Sequence, residues 1–133
     1  MIFVDTGAFV GRFLANDQYH EAALRLWDRV EHADETCVTS SLVLAETITL
    51  LARRSTPAFA VEKARLVYGS TRFEILRPSP TDETDALAVL LKYGDQRVSF
   101  TDAVSFVLMQ RECLRQAFTF DAHFPLAGFE LWS

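Results

Sequence analysis

The chain of 133 residues has only two cysteines, and their placement excludes two classes of small protein. Cys37 and Cys113 are too few for a disulfide framework, and neither belongs to a pattern with the spacing of zinc ligands. Both lie in apolar stretches of the sequence. We therefore expect two small buried thiols in a reducing compartment, which predicts a cytoplasmic protein.

Long hydrophobic runs are also absent. No uncharged stretch approaches the roughly 18 residues that a membrane helix needs. The apolar run at the N-terminus lacks a basic start, and Asp5 and Arg12 interrupt it. We therefore expect neither a targeting segment nor a contact with the membrane.

Positive charge is scarce, because 13 Lys and Arg residues are set against 18 Asp and Glu residues, for a formal net charge of -5. This balance argues against a protein that binds nucleic acid through a broad basic surface. It is compatible with an enzyme whose acidic cluster is neutralised by metal ions. The acids are therefore the residues most informative about function.

Half of the residues are hydrophobic, and the length fits one domain spanning residues 1–133. Strand patterns occur at 2–5, 37–39, 73–76 and 117–120, with a fifth candidate at 129–131. Helical periodicity covers 7–15, 17–30, 41–54, 57–68, 81–92 and 101–113, and residues 98–100 are expected to be extended. This alternation predicts an α/β fold, a three-layer α/β/α sandwich around a parallel sheet of four to five strands.

Two acids directly follow apolar strand patterns. Ile2-Phe3-Val4 leads into Asp5, and Ala117-Phe118-Thr119-Phe120 leads into Asp121. Parallel strands present their carboxyl ends at one edge of the sheet, where open α/β sheets bind ligands, so we expect both carboxylates at that edge. For Asp5 alone, capping of the following helix is an equally good explanation.

Glu46 is the only charged residue between Ser40 and Ala52, in a helix that is apolar on nearly every side. A glutamate in such surroundings is costly to bury unless it is paired or binds a cation. A functional role is therefore favoured. The alternatives are an exposed strip on this helix or an ion pair with a residue such as Arg53.

Asp102 is likewise the only charge between Arg97 and Arg111. Here a structural explanation is strong, because Ser99 is placed to cap the helix. Asp102 would then stand at the third helical position, where an acid completes a variant of the capping box. An acid at that position also suits the helix dipole.

Four carboxylates that converge cannot all stay ionised without cations, because like charges raise each other's pKa. Oxygen ligands without His or Cys suit Mg²⁺ or Mn²⁺. One such ion activates a water and a second stabilises the leaving oxygen, so the pattern predicts metal-assisted hydrolysis of a phosphodiester. Thr6 and Thr101, each beside an acid, are candidates to bond a carboxylate or a metal-bound water, and helix capping explains them equally well.

Other residues carry weaker signals. Asp95 lies close upstream of Asp102, although its context is also typical of a solvated loop. Arg12 and Arg97 are the basic residues nearest in sequence to the proposed site and are candidates to bind substrate phosphates. The three histidines share no spacing, which favours surface or structural roles. Most phenylalanines are expected in the core rather than as stacking platforms: Phe3, Phe9, Phe13, Phe100, Phe106, Phe118 and Phe120.

Taken together, these pieces resemble the PIN-domain family, and more narrowly the VapC-type ribonuclease toxins of bacterial toxin–antitoxin pairs. The matching pieces, in chain order, are Val4-Asp5-Thr6, Ser41-Leu42-Val43-Leu44-Ala45-Glu46, Asp95 through Ser99-Phe100-Thr101-Asp102-Ala103, and Phe118-Thr119-Phe120-Asp121-Ala122-His123-Phe124. Each piece is short, but their order and spacing across the whole chain are specific. Gly7 stands where family members often carry Asn, Ser or Ala.

The resemblance implies an endoribonuclease that depends on Mg²⁺ or Mn²⁺. Asp5, Glu46 and Asp102 would be its core metal-binding acids, Asp121 the fourth acid, and Asp95 an accessory acid. The resemblance also implies an RNA substrate, a homodimer, and a cognate antitoxin that blocks the active site, commonly with a basic side chain.

Alternative functions are a non-catalytic PIN-like module that binds protein and a different Mg²⁺-dependent phosphohydrolase. A phosphatase of the haloacid dehalogenase type needs a second Asp two residues after the first, where this chain has Gly7. A receiver domain needs a lysine at a late strand end, and no lysine follows Lys92. Retention of all four acids argues against the non-catalytic module.

Overall fold

A computed structural model describes all residues from 1 to 133, and its centre is a five-stranded sheet in which every neighbouring pair is parallel. The strands are β1 Ile2–Val4, β2 Cys37–Ser40, β3 Phe73–Leu76, β4 Gln116–Phe118 and β5 Glu130–Leu131. The helices are α1 Thr6–Phe13, α2 His20–His32, α3 Ser41–Arg54, α4 Pro57–Gly69, α5 Pro80–Lys92, α6 Phe100–Arg111 and α7 His123–Leu126. The predicted α/β class and strand number are therefore confirmed.

The strand order β3-β2-β1-β4-β5 creates a reversal between β1 and β4. The chain moves one way through β1, β2 and β3, and then the other way through β4 and β5. Right-handed crossovers place α1 to α4 on one face of the sheet and α5 to α7 on the other. The carboxyl ends of β1 and β4, where the direction changes, frame the crevice in which sheets of this kind bind ligands.

The core lies on both sides of β1, whose three residues are fully buried. Trp27 of α2 packs against Phe118 of β4, with ring centroids 4.9 Å apart, and against Phe9 of α1 at 5.8 Å. Its indole nitrogen donates a hydrogen bond of 3.0 Å to the carbonyl oxygen of Ala8. The amphipathic helices α1 and α2 are thereby fixed on the sheet beside the strand that carries Asp5.

Local capping explains where several helices begin. Ser40 accepts a bond from the amide of Val43 at the start of α3, and Ser99 accepts one from Asp102 at the start of α6, both 3.1 Å long. The predicted cap at Ser99 is confirmed. Of residues 98–100, which were expected to be extended, Ser99 has an extended backbone, but Phe100 already belongs to α6.

Three other predictions about the fold are wrong. Strand β4 ends at Phe118, three residues before Asp121, because the amide of Asp121 turns back to bond Thr119 Oγ1 at 3.0 Å. Cys113 is exposed rather than buried, since it lies in the turn after α6 with a positive φ of 55°. Phe100, expected in the core, keeps 36% of its surface exposed. No helix of the protein is both long enough and apolar enough to cross a membrane.

Candidate active site

Asp5 lies at the carboxyl end of β1, in the position that precedes α1, yet its side chain makes no capping hydrogen bond. Its Oδ2 instead accepts a bond of 2.8 Å from the hydroxyl of Thr119, which follows β4. Its backbone amide donates to the carbonyl oxygen of Phe118 at 3.1 Å. The carboxylate is therefore tied to the neighbouring strand end.

Thr119 organises both strand ends. Its hydroxyl donates to Asp5 and accepts the amide of Asp121, so one side chain sets the position of two acids. The Asp121 carboxylate in turn accepts a bond of 2.8 Å from the amide of His123 at the start of α7. Two residues that are 116 positions apart in the sequence are thus brought to one place through a single hydroxyl.

Asp102, in the first turn of α6, lies beside Asp121 and His123. A comparison with helix α5 shows why its carboxylate is not used to cap its own helix. Helix α5 begins with the same Ser-x-x-Asp spacing, but Asp82 returns a bond of 2.8 Å to the amide of Ser79 and completes a capping box. In α6 only Ser99 caps, and no return bond from Asp102 is present. The Asp102 carboxylate lies 3.7 Å from the imidazole of His123 instead.

Glu46 of α3 lines one cleft together with Asp5, Asp102 and Asp121. It is exposed, contrary to the expectation of a buried glutamate. The helix buries Val43, Leu44 and Thr47, which leaves a narrow strip with Ala45 and Glu46 open to solvent. The alternative of an exposed strip was therefore correct for its burial. Glu46 nevertheless faces the other acids at the rim of the cleft.

Burial and mutual repulsion shift the proton equilibria of the two most enclosed acids. Burial raises the pKa of Asp5 from 3.8 to about 6, against the lowering effect of the Thr119 bond. Burial, the charge of Asp5 and the contact with Asp121 raise the pKa of Asp102 to about 8. At neutral pH the Asp102 carboxyl therefore holds a proton that a divalent cation would displace, whereas Asp5 is mostly ionised.

Like Thr119, His123 is a member of the site to which the sequence analysis gave no role there. Its Nδ1 lies 2.9 Å from Oδ1 of Asp121, and its Nε2 lies 2.6 Å from the carbonyl oxygen of Gln96. Burial lowers the pKa of this histidine, but the charge of Asp121 and the Gln96 carbonyl outweigh that effect and raise it. The only available signal was its position two residues after Asp121.

The remaining candidates divide between the cleft and other surfaces. Thr6 and Arg97 line the cleft of about 600 Å³ together with the four acids. Thr101 faces an adjoining depression, and Asp95 lies in an exposed turn outside the cleft. Arg12 is a correction, because its guanidinium lies 4.9 Å above the ring of Trp27 and 3.9 Å from Glu31, away from the acids.

The donor set fits a hard divalent cation. Carboxylate oxygens dominate, and ligand atoms of Asp102, Asp121 and His123 all lie within 4.8 Å of one another. The hydroxyl of Thr6 lines the cleft, is buried and has no hydrogen-bond partner. Because Nε2 of His123 is already bound to a carbonyl, its Nδ1 faces the acids, which is the usual arrangement of a histidine beside a metal.

This arrangement of acids at a strand-order reversal matches a known class of protein. The PIN domain model matches residues 2–130, and the chain therefore belongs to the PIN-domain family.

Within that family, two relatives are named 23S rRNA-specific endonuclease VapC20, from Mycobacterium tuberculosis strains CDC 1551 / Oshkosh and ATCC 25618 / H37Rv. Each is 36% identical over 129 residues, covering 97% of this chain and 95% of the relative. A crystal structure of M. tuberculosis VapC20, described as a toxin that cleaves the sarcin–ricin loop, superimposes with a TM-score of 0.86. It is 34% identical and the match covers 97% of this chain and 96% of that one.

Proposed function

We propose that the protein is a metal-dependent endoribonuclease that hydrolyses RNA phosphodiester bonds and acts as the toxin of a toxin–antitoxin pair. The observation that carries this proposal is the convergence of Asp5, Asp102 and Asp121 at the reversal between β1 and β4. Similarity to named endonucleases over 97% of the chain supports it. We also infer that residues 1–133 form one PIN domain.

Each side chain has a role that follows from its place. A bound Mg²⁺ or Mn²⁺ would activate a water and neutralise charge on the phosphate that is cut. Asp5, Asp102 and Asp121 would hold the ion, and Glu46 would complete the acidic rim. Thr119 keeps the Asp5 carboxylate turned toward the cleft.

Arg97 is the cation of this cleft. It is exposed, it lines the cleft with the acids, and its φ of 57° turns the backbone at that point of the loop before α6. A guanidinium there can bind phosphate oxygens of the RNA on either side of the cut. We therefore assign it to substrate binding rather than to the metal.

The first RNA to test is the sarcin–ricin loop of 23S rRNA, because the relatives are named for cutting 23S rRNA and the solved one is described as cleaving that loop. We further propose a cognate antitoxin that inserts a basic side chain among the acids, a homodimeric assembly, and action in the cytoplasm. The acidic cleft and the net charge of -5 support a basic inhibitor.

The test uses a synthetic RNA hairpin with the sarcin–ricin loop sequence and compares wild type with Asp102→Asn. We expect Asp102→Asn to lower cutting about 10²- to 10³-fold while the far-ultraviolet circular dichroism stays unchanged. Asp82→Asn is the matched control, since Asp82 has the same position in α5 but bonds Ser79 and Arg111 outside the cleft. It should lose stability and keep its activity.

Chelation tests the metal directly. We expect EDTA to abolish cutting by wild type, and Mg²⁺ or Mn²⁺ to restore it. Cutting that persists in EDTA would contradict the metal assignment. Equal cutting by wild type and Asp102→Asn would contradict the catalytic role of the acids and favour a PIN-like module that binds protein.

A further inference from the structure

Two aromatic rings form a parallel stack on the rim of the cleft. The rings of Tyr19 and Phe120 have centroids 4.5 Å apart and planes inclined by only 2°. Both residues line the same cleft as Asp5, Asp102 and Asp121. Phe120 is half-buried at this rim, contrary to the expectation that it would be a core residue. The stack therefore belongs to the surface that an RNA strand must cross to reach the acids.

Phe120 is held by the elements that build the site. It lies between Thr119 and Asp121, and its ring packs edge-on against Phe118 of β4 with centroids 6.2 Å apart. A Cβ built on Gly7 would be 3.6 Å from the Phe120 ring, so this ring lies directly over the start of α1. One face of Tyr19 thus rests on a ring that cannot move independently of the acids.

Tyr19 itself stands on a braced turn before α2. The Asp17 carboxylate accepts the amide of Tyr19 at 3.0 Å and the guanidinium of Arg54 at 2.7 Å, and its side chain is only 10% exposed. The tyrosine nevertheless keeps 39% of its own surface exposed. Phe120 covers one face of the ring, and the tyrosine as a whole still keeps more than a third of its surface open to solvent.

Unpaired RNA bases are bound by stacking on aromatic side chains, and every base offers a suitable face. We propose that Tyr19, supported by Phe120, stacks on an unpaired base next to the phosphate that is cut. This inference rests on the proposed endoribonuclease function and adds what selects the nucleotide. The base must be free of a partner to reach Tyr19, so the platform favours looped-out or single-stranded nucleotides over paired ones.

The brace on Asp17 lowers the cost of binding. Asp17 bonds both the Tyr19 amide and the Arg54 guanidinium, so the turn that carries the ring is ordered before the RNA arrives. Little conformational entropy is therefore lost on contact. The neighbouring Gln18 also lines the cleft and offers both a donor and an acceptor beside the stacked base. Stacking supplies affinity at this position, and the amide can add base preference.

The test measures kcat and KM on the intact sarcin–ricin hairpin and on a series of hairpins that each lack one base near the cut. Tyr19→Leu keeps an apolar cover on Phe120 but removes the π face, and Tyr19→Phe keeps the face. Tyr68→Leu is the matched control, since Tyr68 is 50% exposed on α4 and lines none of the cleft. Circular dichroism verifies the fold of each variant.

We expect Tyr19→Leu to lower kcat/KM on the intact hairpin about tenfold, mostly through KM, while Tyr19→Phe and Tyr68→Leu behave as wild type. On one of the base-free hairpins, the kcat/KM of wild type should already be lower by the same factor. On that hairpin Tyr19→Leu should lower kcat/KM no further. Unchanged kcat/KM for Tyr19→Leu, or an equal additional loss on every base-free hairpin, would overturn the platform. Absence of any cutting by wild type in Mg²⁺ or Mn²⁺ would instead overturn the proposed function, which separates the two failures.

Discussion

Nε2 of the His123 imidazole lies 2.6 Å from the carbonyl oxygen of Gln96. This contact joins the short helix after β4 to the loop that carries Arg97. A carbonyl oxygen can only accept, so Nε2 carries a proton and Nδ1 faces the carboxylate of Asp121 at 2.9 Å. One ring therefore connects a loop that we assign to substrate binding with an acid that we assign to the metal.

Two substitutions separate these contacts. His123→Asn keeps a polar atom near the position of Nδ1 but cannot reach Gln96, so we expect KM for RNA to rise about tenfold with an unchanged metal requirement. His123→Gln can still donate to Gln96 but loses Nδ1, so we expect it to need about 10- to 100-fold more Mg²⁺. Steady-state cutting at varied RNA and varied Mg²⁺ distinguishes the two. A rise in the same parameter for both variants would contradict separate roles.

The metal-free protein should lose stability as pH rises from about 4 to about 8. The folded state raises the pKa of Asp5 to about 6 and that of Asp102 to about 8, so it binds more protons than the unfolded chain in that window. The raised pKa of His123 acts in the same direction, because its stabilisation is complete below the unfolded value of 6.5 and is lost above the folded one. Asp5 alone accounts for about 3 kcal/mol.

Urea unfolding in EDTA at several pH values measures this dependence. Asp102→Asn removes the more strongly shifted acid, so its stability should change less with pH than that of wild type. Mg²⁺ added at pH 8 should stabilise wild type and leave the variant almost unaffected, because a ligand stabilises only the state that binds it. A stability that rises between pH 4 and pH 8 in EDTA would refute the protonated cluster.

Arg97→Asn removes the cleft cation without straining the backbone, because asparagine adopts the left-handed conformation that a φ of 57° requires. We expect kcat/KM to fall about tenfold at low salt, and the dependence of binding on salt to decrease by about one ion. Arg115→Asn is the control, since Arg115 is exposed just before β4 at the opposite edge of the sheet. Equal losses from both variants would indicate a general effect of charge.

Gly11→Ala should destabilise the fold by about 1–3 kcal/mol, although alanine is the better helix former. A Cβ at Gly11 would lie 2.9 Å from the Cβ of Ala23, so α1 and α2 would have to separate. Gly69→Ala is the matched control, because nothing lies within 4 Å of a Cβ at that end of α4. Urea unfolding measures both variants. Gly11→Ala should lower the urea midpoint, whereas Gly69→Ala should leave it unchanged or raise it.

Much of the fold was predictable because its signals are local. Short runs rich in β-branched and aromatic residues mark β1, β2 and β3, and Ser40 and Ser99 mark the starts of α3 and α6 through short-range bonds to the backbone. These bonds span three residues, so nothing distant is needed to form them. The parallel class followed from the alternation of strands and helices.

The site was less predictable because its contacts are distant. His123 lies on a helix of four residues, which is too short for any periodicity, and its partner Gln96 is 27 positions away. Arg12 is close to Asp5 in sequence, yet the rotation of α1 turns it toward Trp27. The stack of Tyr19 on Phe120 joins residues that no spacing relates.

The sequence by itself determined that acids follow strands and that Asp102 stands three residues after a capping serine. It could not decide what that acid does, because Ser79 and Asp82 show the same spacing. The tertiary structure made the difference. Arg111 and the Ser79 amide hold Asp82 at its helix, whereas the strand reversal brings Asp102 beside Asp121, His123 and the carboxylate of Asp5. A side chain takes the role that its distant neighbours allow, and only the folded chain brings those neighbours together.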